Sequence, residues 1–228
     1  MDLNQIKEYF YICEKLGIRN LILEPKNNTL FITSELKKKI QKETTIQLYF
    51  RVNLKIDALK EFKKKIRKFN NFQDILSIET LNKEIQLQAA KDSRVDVISF
   101  SDPKILKTLT RGVVSLASQN NSFLEFSLSP LTVENKSLQS KNFRNLYRAM
   151  ELIKRNENNY IFSGNFNEPY DLRHPRNLIS VCVSLLGIPF LEVKKAFSEN
   201  PRNLIQKVQN RQDKDILESG VRLIRGED

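Results

Sequence analysis

The segment NEPYDLRHPRNLIS, residues 167–180, concentrates the side chains of this chain that are best suited to chemistry. It holds the chain's only histidine, His174, between two arginines, Arg173 and Arg176. An imidazole can transfer protons, and guanidinium groups bind phosphate or carboxylate groups in a two-pronged geometry. Since no nucleophile or orienting partner is identifiable beside it, His174 is a weak candidate for a general base.

The same segment also fits the start of a helix. Asp171 is placed to accept hydrogen bonds from the amides that follow, and Pro175 suits the first helical turn. A helix N-terminus carries partial positive charge, so Arg173 and Arg176 are unfavourable there unless an anion offsets them. That anion is either an internal carboxylate, Asp171 or Glu168, or an external phosphate.

Two further groups of cations fall where helices are predicted to start. In SDPKILKTLTRG, a predicted helix begins at Asp102 with Pro103 in its first position, and three cations follow at i, i+3 and i+7. These cations are Lys104, Lys107 and Arg111. The second group comprises Lys136, Lys141, Arg144 and Arg148. A solvated helix face would also account for either group, and the KKK runs at 37–39 and 63–65 are interpreted in that way.

The composition favours a polyanionic partner. The 228 residues include 38 Lys+Arg against 27 Asp+Glu, which gives a formal charge of +11 and a pI near 9.6. Such an excess is typical of nucleic-acid-binding proteins, with a merely lysine-rich surface as the alternative. Tryptophan is absent, so phosphate contacts and RNA shape are favoured over base stacking. A single histidine excludes a histidine-rich metal centre but leaves carboxylate-bound magnesium open.

The two cysteines and the hydropathy pattern indicate where the protein works. Cys13 and Cys182 lie in apolar periodic segments, which is typical of reduced core residues. No apolar run approaches the ~20 residues of a membrane span, and the N-terminal sequence does not resemble a signal peptide. We expect a cytoplasmic protein without a membrane contact.

Strands and helices are predicted to alternate along the whole chain. The predicted strands cover 21–24, 45–54, 75–79, 95–100, 123–131 and 159–166. This pattern predicts an α/β fold, a TIM-like (β/α) barrel of about seven strands in a single domain, residues 1–209. A doubly wound sheet is the alternative, but it usually carries a Gly-rich phosphate loop, and the chain has 6 glycines. Residues 210–228 are predicted to form a polar tail, either an edge strand at 221–224 or disordered.

Residues 95–209 resemble the thirty-kilodalton protein subunit of archaeal and eukaryotic ribonuclease P. The resemblance is carried, in order, by VDVISFSDP, LEFSLSPL, SGNFNEPYDLRHPRNLISVCVSLLGI and EVKKAFSENPRNLIQK. The positions that match the family's most characteristic residues are Ser163, Arg173, Pro175 and Arg176. His174 stands where the family has an aromatic or small residue, and Asn177 replaces its usual Asp.

The resemblance implies a TIM-like barrel of the polymerase-and-histidinol-phosphatase superfamily, acting in a ribonucleoprotein that removes the 5′ leader from precursor tRNA. It implies no catalytic residues, metal or cofactor in the protein, with magnesium held by the RNA. The implied partners are the ribonuclease P RNA, precursor tRNA and a small subunit of RNA-recognition-motif type, component 2. The residues expected to contact RNA, phosphate or a partner are Arg173, Arg176, Lys104, Lys107, Arg111, Lys136, Lys141 and Arg144, with Ser163, Asp171 and Pro175 as structural positions.

Two other functions remain open from the residues themselves. One is a phosphate-handling TIM-barrel hydrolase that binds magnesium near Asp102 and Asp171. The other is a general module for binding structured RNA.

Overall fold

A computed structural model of the chain describes residues 3–25, 32–70, 72–154, 159–165, 168, 171–211, 213, 216–218 and 221–222. The strands of its large sheet are β1 (Asn20–Leu23), β2 (Gln47–Lys55), β3 (Ile75–Glu79), β4 (Val97–Ser99), β5 (Phe123–Ser127) and β6 (Tyr160–Ser163). The helices are α1 (Leu3–Lys15), α2 (Ser34–Gln41), α3 (Leu59–Ile66), α4 (Lys83–Lys91), α5 (Pro103–Leu106), α6 (Arg111–Gln119), α7 (Lys136–Ile153), α8 (Pro175–Leu186), α9 (Phe190–Phe197) and α10 (Glu199–Asn210).

The six strands are parallel and pair in chain order, from β1 at one edge to β6 at the other. Among the described residues β6 and β1 do not pair, so the sheet forms a curled, open half-barrel with helices around it. The predicted α/β, TIM-like, single-domain architecture is confirmed, with six strands in the parallel sheet.

Two short strands follow the last helix of the barrel. β7 (Ile216–Glu218) and β8 (Val221–Arg222) pair antiparallel to each other. Residues 223–224 of the predicted edge strand lie outside the described residues, and the boundary at residue 209 stays a prediction.

Side chains on the outer face of the sheet pack against the helices. Leu76 and Ile78 of β3, for example, belong to the same buried cluster as Ile85 and Ala89 of α4. Because such strands are buried on both faces, they read as almost continuous apolar runs, which is why their positions could be predicted. Both cysteines are buried and unpaired, which confirms the prediction of core thiols.

The inner face is closed at the amino ends of the strands by α10. Leu204 and Val208 of this helix pack against Ile75, Val97 and Phe123 of three successive strands. These contacts form an apolar layer inside the half-barrel, at the end opposite to the carboxyl ends of the strands.

An ion cluster holds α10 in this position. Asp96, which is fully buried, accepts a hydrogen bond from the Leu76 amide (2.9 Å) and binds the Arg211 guanidinium. The Lys207 ammonium lies 3.6 Å from the same carboxylate and donates to the Asn121 carbonyl (2.9 Å). The last helix is therefore joined to the sheet by buried charges as well as by apolar contacts.

In the segment after β6, the described residues 168 and 171–172 lie near the first helix, across the open side of the half-barrel. Leu172 packs against the apolar cluster that contains Phe10 and Cys13 of α1. Burial raises the pKa of Tyr9 on the same helix, and the carboxylates of Glu168 and Asp171 raise it further. The segment thus joins the β6 edge to the helix that precedes β1.

The single helix predicted to start at Asp102 is wrong, since the structure has two helices there. After α5, the Thr108 hydroxyl donates to the Ile105 carbonyl (2.7 Å) and accepts from Gln86 (2.6 Å). A new helix, α6, then begins with Thr110 as its N-cap, whose hydroxyl accepts from the Val113 amide (3.4 Å). These side-chain bonds compete with the helical ones and end the first helix after one turn.

Candidate nucleic-acid interface

The carboxyl ends of the six strands define the mouth of the half-barrel. In repeated parallel βα units, each helix begins beside the carboxyl end of the strand before it. The amino ends of α2, α3, α4, α5, α7 and α8 therefore surround the mouth, and α6 begins on the same connection as α5. Partial positive charge from these helix ends faces the same region.

Six of these helices carry a cation at their first or second residue. We call this group the rim cations: Lys60 of α3, Lys83 of α4, Lys104 of α5, Arg111 of α6, Lys136 of α7 and Arg176 of α8. All six side chains are exposed. Helix energetics disfavours a cation at these positions by roughly 0.3–1 kcal/mol each. Its repetition at six of the seven helix starts around the mouth, all except that of α2, points to an anion outside the chain.

Internal carboxylates do not pair with the rim cations. Helices α5 to α8 have no acidic residue in their first turns, whereas α3 and α4 carry Glu61 and Glu84 there. In the part of the chain that the structure describes, none of the rim cations forms an ion pair. By contrast, Lys37, Arg94 and Lys65, which lie elsewhere, pair with Asp74, Asp92 and Glu61.

The structure divides the predicted basic residues between two surfaces. Lys104 and Lys107 are exposed on the one-turn helix α5, and Arg111 begins α6. Helix α7 runs for 18 residues away from Lys136 at the mouth. At 1.5 Å per residue, Lys141 lies about 7 Å and Arg144 about 12 Å along its axis. Arg144 and Arg148 line a surface groove with Leu185, near the far end of α8, so they lie away from the mouth.

The segment 171–176 supplies both a cap and cations. The N-cap of α8 is His174, whose Nδ1 accepts a hydrogen bond from the Arg176 amide (3.1 Å). Asp171, expected to cap this helix, is exposed three residues before the cap, while Pro175 takes the first helical position as predicted. His174 therefore acts here as a capping group through its Nδ1.

The two arginines of this segment point outward. Arg173 is exposed, and its Nη1 donates to the Leu172 carbonyl (3.2 Å). Arg176 is exposed too, and among the described residues no carboxylate lies within ion-pair distance of it. The internal-carboxylate interpretation thus has no support at Arg176.

A buried polar layer lies inside the half-barrel, between the mouth and the apolar layer on α10. Arg51 of β2 extends across the interior, where its Nη1 lies 2.7 Å from Oε2 of Glu125 on β5. Its Nε donates to Ser77 of β3 (2.9 Å) and lies 3.1 Å from the Glu24 carboxylate. Asn53 donates to both Glu24 (3.1 Å) and Glu79 (2.7 Å). Five side chains from β2, β3 and the end of β1 are therefore linked to Glu125 of β5.

Electrostatics keep the central pair charged. Burial by itself would raise the pKa of Glu125, but Arg51 outweighs it and holds that pKa below 4.5, with help from Ser163 and Ser99. Burial would likewise lower the pKa of Arg51, but the facing carboxylate raises it above its ordinary value. Ser163, one of the motif residues, thus belongs to the interior layer.

The carboxylates considered for magnesium are otherwise occupied or dispersed. The Asp102 side chain caps α5 by accepting from the Lys104 amide (2.6 Å). Within the described ranges, no three His, Cys, Asp or Glu side chains are grouped as a metal site would need. A helix long and apolar enough to cross a membrane is also absent from those ranges.

Two parts of this arrangement were missed by sequence reasoning. Lys60 and Lys83 were not singled out, although each follows a strand end by a few residues, as Lys104 does. The charged residues Arg51 and Glu125 stand inside the apolar runs LYFRVNL and FLEFS. A lone charge at an inward position of a buried strand is the signal that could have revealed the interior pair.

Comparison with known proteins agrees with this architecture. The profile of a family described as RNase P subunit p30 matches residues 1–213. Ribonuclease P protein component 3 of Methanococcoides burtonii is 23% identical over 158 residues, which cover 69% of this chain. The aligned region spans 64% of that relative, less than two thirds of its length.

A solved structure gives the same fold. A chain in the cryo-EM structure of archaeal ribonuclease P with mature tRNA superposes with a TM-score of 0.81 at 18% identity. The superposition covers 97% of this chain and 96% of the other.

Proposed function

Since the chain belongs to the family of RNase P subunit p30, we propose that it is a protein subunit of ribonuclease P. In this role it supports the RNA-catalysed, endonucleolytic removal of the 5′ leader from precursor tRNA. Its own contribution is to bind RNA phosphates at the mouth of the half-barrel.

The rim cations carry this proposal. They bring positive side chains and positive helix ends to the same surface, and among the described residues none of the six is paired with a carboxylate. Neutralising several phosphates releases the counterions bound to them, which gives strong and salt-dependent binding. Contacts of this kind orient a structured RNA without reading its sequence.

The remaining parts of the proposal follow from the family. The partners are the ribonuclease P RNA, precursor tRNA and the small subunit of RNA-recognition-motif type, component 2. The magnesium ions of the reaction are bound by the RNA, and the protein brings no cofactor. The buried, unpaired Cys13 and Cys182 support a cytoplasmic location.

The deciding experiment is reconstitution. Ribonuclease P RNA is assembled with the other protein subunits, with and without this chain, and cleavage of precursor tRNA is measured over a range of magnesium concentrations. We expect the chain to raise the rate or to lower the magnesium requirement. Equal rates and equal magnesium requirements would refute the proposal, and chelator-sensitive phosphoesterase activity of the isolated chain would favour the hydrolase alternative.

A further inference from the structure

The exposed side of α8 is unusual for this protein. Arg176 in the first turn is the only charged residue among its twelve. At the chain average of 29% charged residues, three or four would be expected in a helix of this length. An exposed helix face normally carries charged side chains, so a face without them is typical of a surface that another molecule covers.

The serine hydroxyls on this side are directed back to the helix. The Ser180 hydroxyl donates to the Arg176 carbonyl (3.0 Å), and the Ser184 hydroxyl donates to the Ser180 carbonyl (2.6 Å). Both donors are satisfied internally, so covering these serines would leave no donor without a partner. The exposed face of α8 can therefore be buried at little cost.

A groove with an apolar floor lies between this helix and α7. It is lined by Phe143, Arg144, Tyr147, Arg148 and Leu185. The side chains of Leu185 and Tyr147 are 55% and 42% exposed, although both are large. Beyond the end of α8, the first two residues of α9 are exposed as well: Phe190 is 56% and Leu191 is 72% exposed.

The two charged residues that line the groove are both arginines. Arg144 and Arg148 are exposed, and neither pairs with a carboxylate among the described residues. The one acidic residue of α7, Glu151, pairs with Lys154 (2.8 Å). An occupant with carboxylates next to apolar side chains would complement this surface in both charge and hydrophobicity.

Protein suits this groove better than RNA does. RNA phosphates are bound by cations, but α8 offers none after Arg176, and the groove is lined by Phe143, Tyr147 and Leu185 besides the two arginines. We infer that the groove between α7 and α8 is the docking site of an acidic, apolar segment of a second protein subunit. The inference rests on the proposed function, and it assigns Arg144 and Arg148 to protein contact while the rim cations contact RNA.

The first test identifies what covers Leu185 in the assembled particle. A photo-crosslinking amino acid, p-benzoylphenylalanine, replaces Leu185 in ribonuclease P reconstituted from its RNA and purified protein subunits. A matched particle carries it at Leu36 of α2, which is also exposed (41%). We expect a crosslink from position 185 to another protein subunit, well above the yield at position 36. A crosslink to RNA, a crosslink to a second copy of this chain, or equal yields at both positions would overturn the inference.

The second test measures affinities. Arg144→Glu with Arg148→Glu, and separately Leu185→Ser, are expected to weaken binding of the protein subunits by about tenfold or more, which is about 1.4 kcal/mol. Affinity for ribonuclease P RNA alone should change by less than about twofold. Lys63→Glu with Lys64→Glu on α3 is the control, since it makes the same change in net charge on exposed residues elsewhere. An equal decrease in the control, or weaker binding to RNA only, would refute the docking site.

The outcomes separate this inference from the proposed function. If the wild-type chain supports precursor-tRNA cleavage and the groove variants keep their protein partners, only the docking site is refuted. If the chain has no effect on cleavage, the proposed function fails, whatever the groove binds. Circular dichroism spectra and urea midpoints equal to those of wild type would show that the variants are folded. Leu185→Ser should disturb folding least, because it changes a single exposed side chain.

Discussion

Arg51 and Glu125 form an ion pair between strands that are not neighbours. Two strands, β3 and β4, separate them in the sheet. At ~4.8 Å per strand, β2 and β5 would lie about 14 Å apart in a flat sheet. The 2.7 Å contact between their side chains is formed across the concave side, so the pair spans the curve of the sheet. The half-barrel has no closed ring of strands to fix its curvature. The contact between Arg51 and Glu125 therefore stabilises the curved form of the sheet.

Breaking this pair should destabilise the protein strongly. Arg51→Met would leave the Glu125 carboxylate buried without its cation, which typically costs about 3–5 kcal/mol. The double change Arg51→Met, Glu125→Leu should recover a large part of that stability, because a buried pair can often be replaced by apolar side chains. Urea unfolding gives the free energies. A cost below about 1 kcal/mol for the single change would contradict this account.

Replacing His174 should affect stability through its capping bond. His174→Ala removes the acceptor for the Arg176 amide and should cost about 1 kcal/mol, whereas His174→Asn keeps a capping group and should cost little. Thermal unfolding of the two variants provides the comparison. Precursor-tRNA cleavage by a particle containing His174→Asn should equal that of wild type, and a much slower cleavage there would restore a chemical role for the imidazole.

Removing rim cations should weaken RNA binding in a salt-dependent way. Lys104→Ala, Lys136→Ala and Arg176→Ala together should lower the slope of log affinity against log salt by about 2–3, close to one for each phosphate that is no longer neutralised. The measurement is a titration of ribonuclease P RNA at several salt concentrations. The control removes the same charge from the far ends of the helices, just after α3 and at the end of α4, through Arg67→Ala, Lys68→Ala and Lys91→Ala. If both triple variants change the slope equally, the effect belongs to net charge and not to the mouth.

The two buried thiols should make the protein sensitive to alkali. Burial raises the pKa of Cys13 from 9.0 to about 11 and that of Cys182 from 9.0 to about 12. In the folded state the thiols keep their protons between pH 9 and these values, while in the unfolded chain they lose them. Their contribution to stability is therefore complete below pH 9 and disappears as the pH rises through 11 and 12.

Thiol labelling offers an independent check of the same property. At pH 8, a pKa two units higher leaves about a hundredfold less thiolate at Cys13 than in the unfolded chain. Labelling by a disulfide reagent should be slower by at least about that factor in native protein than in urea. Rapid labelling of native protein would show that the thiols are accessible and ionised.

Local features of the sequence predicted the elements well, since parallel strands are long apolar runs and several helices begin with recognisable caps. Asp102 followed by Pro103 is one such cap, and the structure places a helix there. The same rules missed the end of that helix, because Thr108 is bonded to Gln86, a residue 22 positions earlier in the chain. A contact between residues so far apart in the chain cannot be inferred from the helical spacing of apolar residues.

The kind of residue that forms the candidate site could be predicted from the sequence, but the surface on which each residue lies could not. Its cations were recognised at Lys104, Lys136 and Arg176, because each follows a strand and begins a helix. Arg144 was grouped with them, but an 18-residue helix carries it away from the mouth to a different surface. The partner of Arg51 could not be predicted from sequence, since it depends on how far the sheet curls.

The position of α10 has a consequence for synthesis of the chain on the ribosome. Val97 and Phe123 of the inner layer are made long before Leu204 and Val208, the residues that shield them from water. Asp96 is likewise made long before Arg211, its counterion. Folding of the half-barrel therefore cannot be completed co-translationally until residue 211 has left the exit tunnel, and a chain that terminates before α10 would expose an apolar surface to chaperones and proteases.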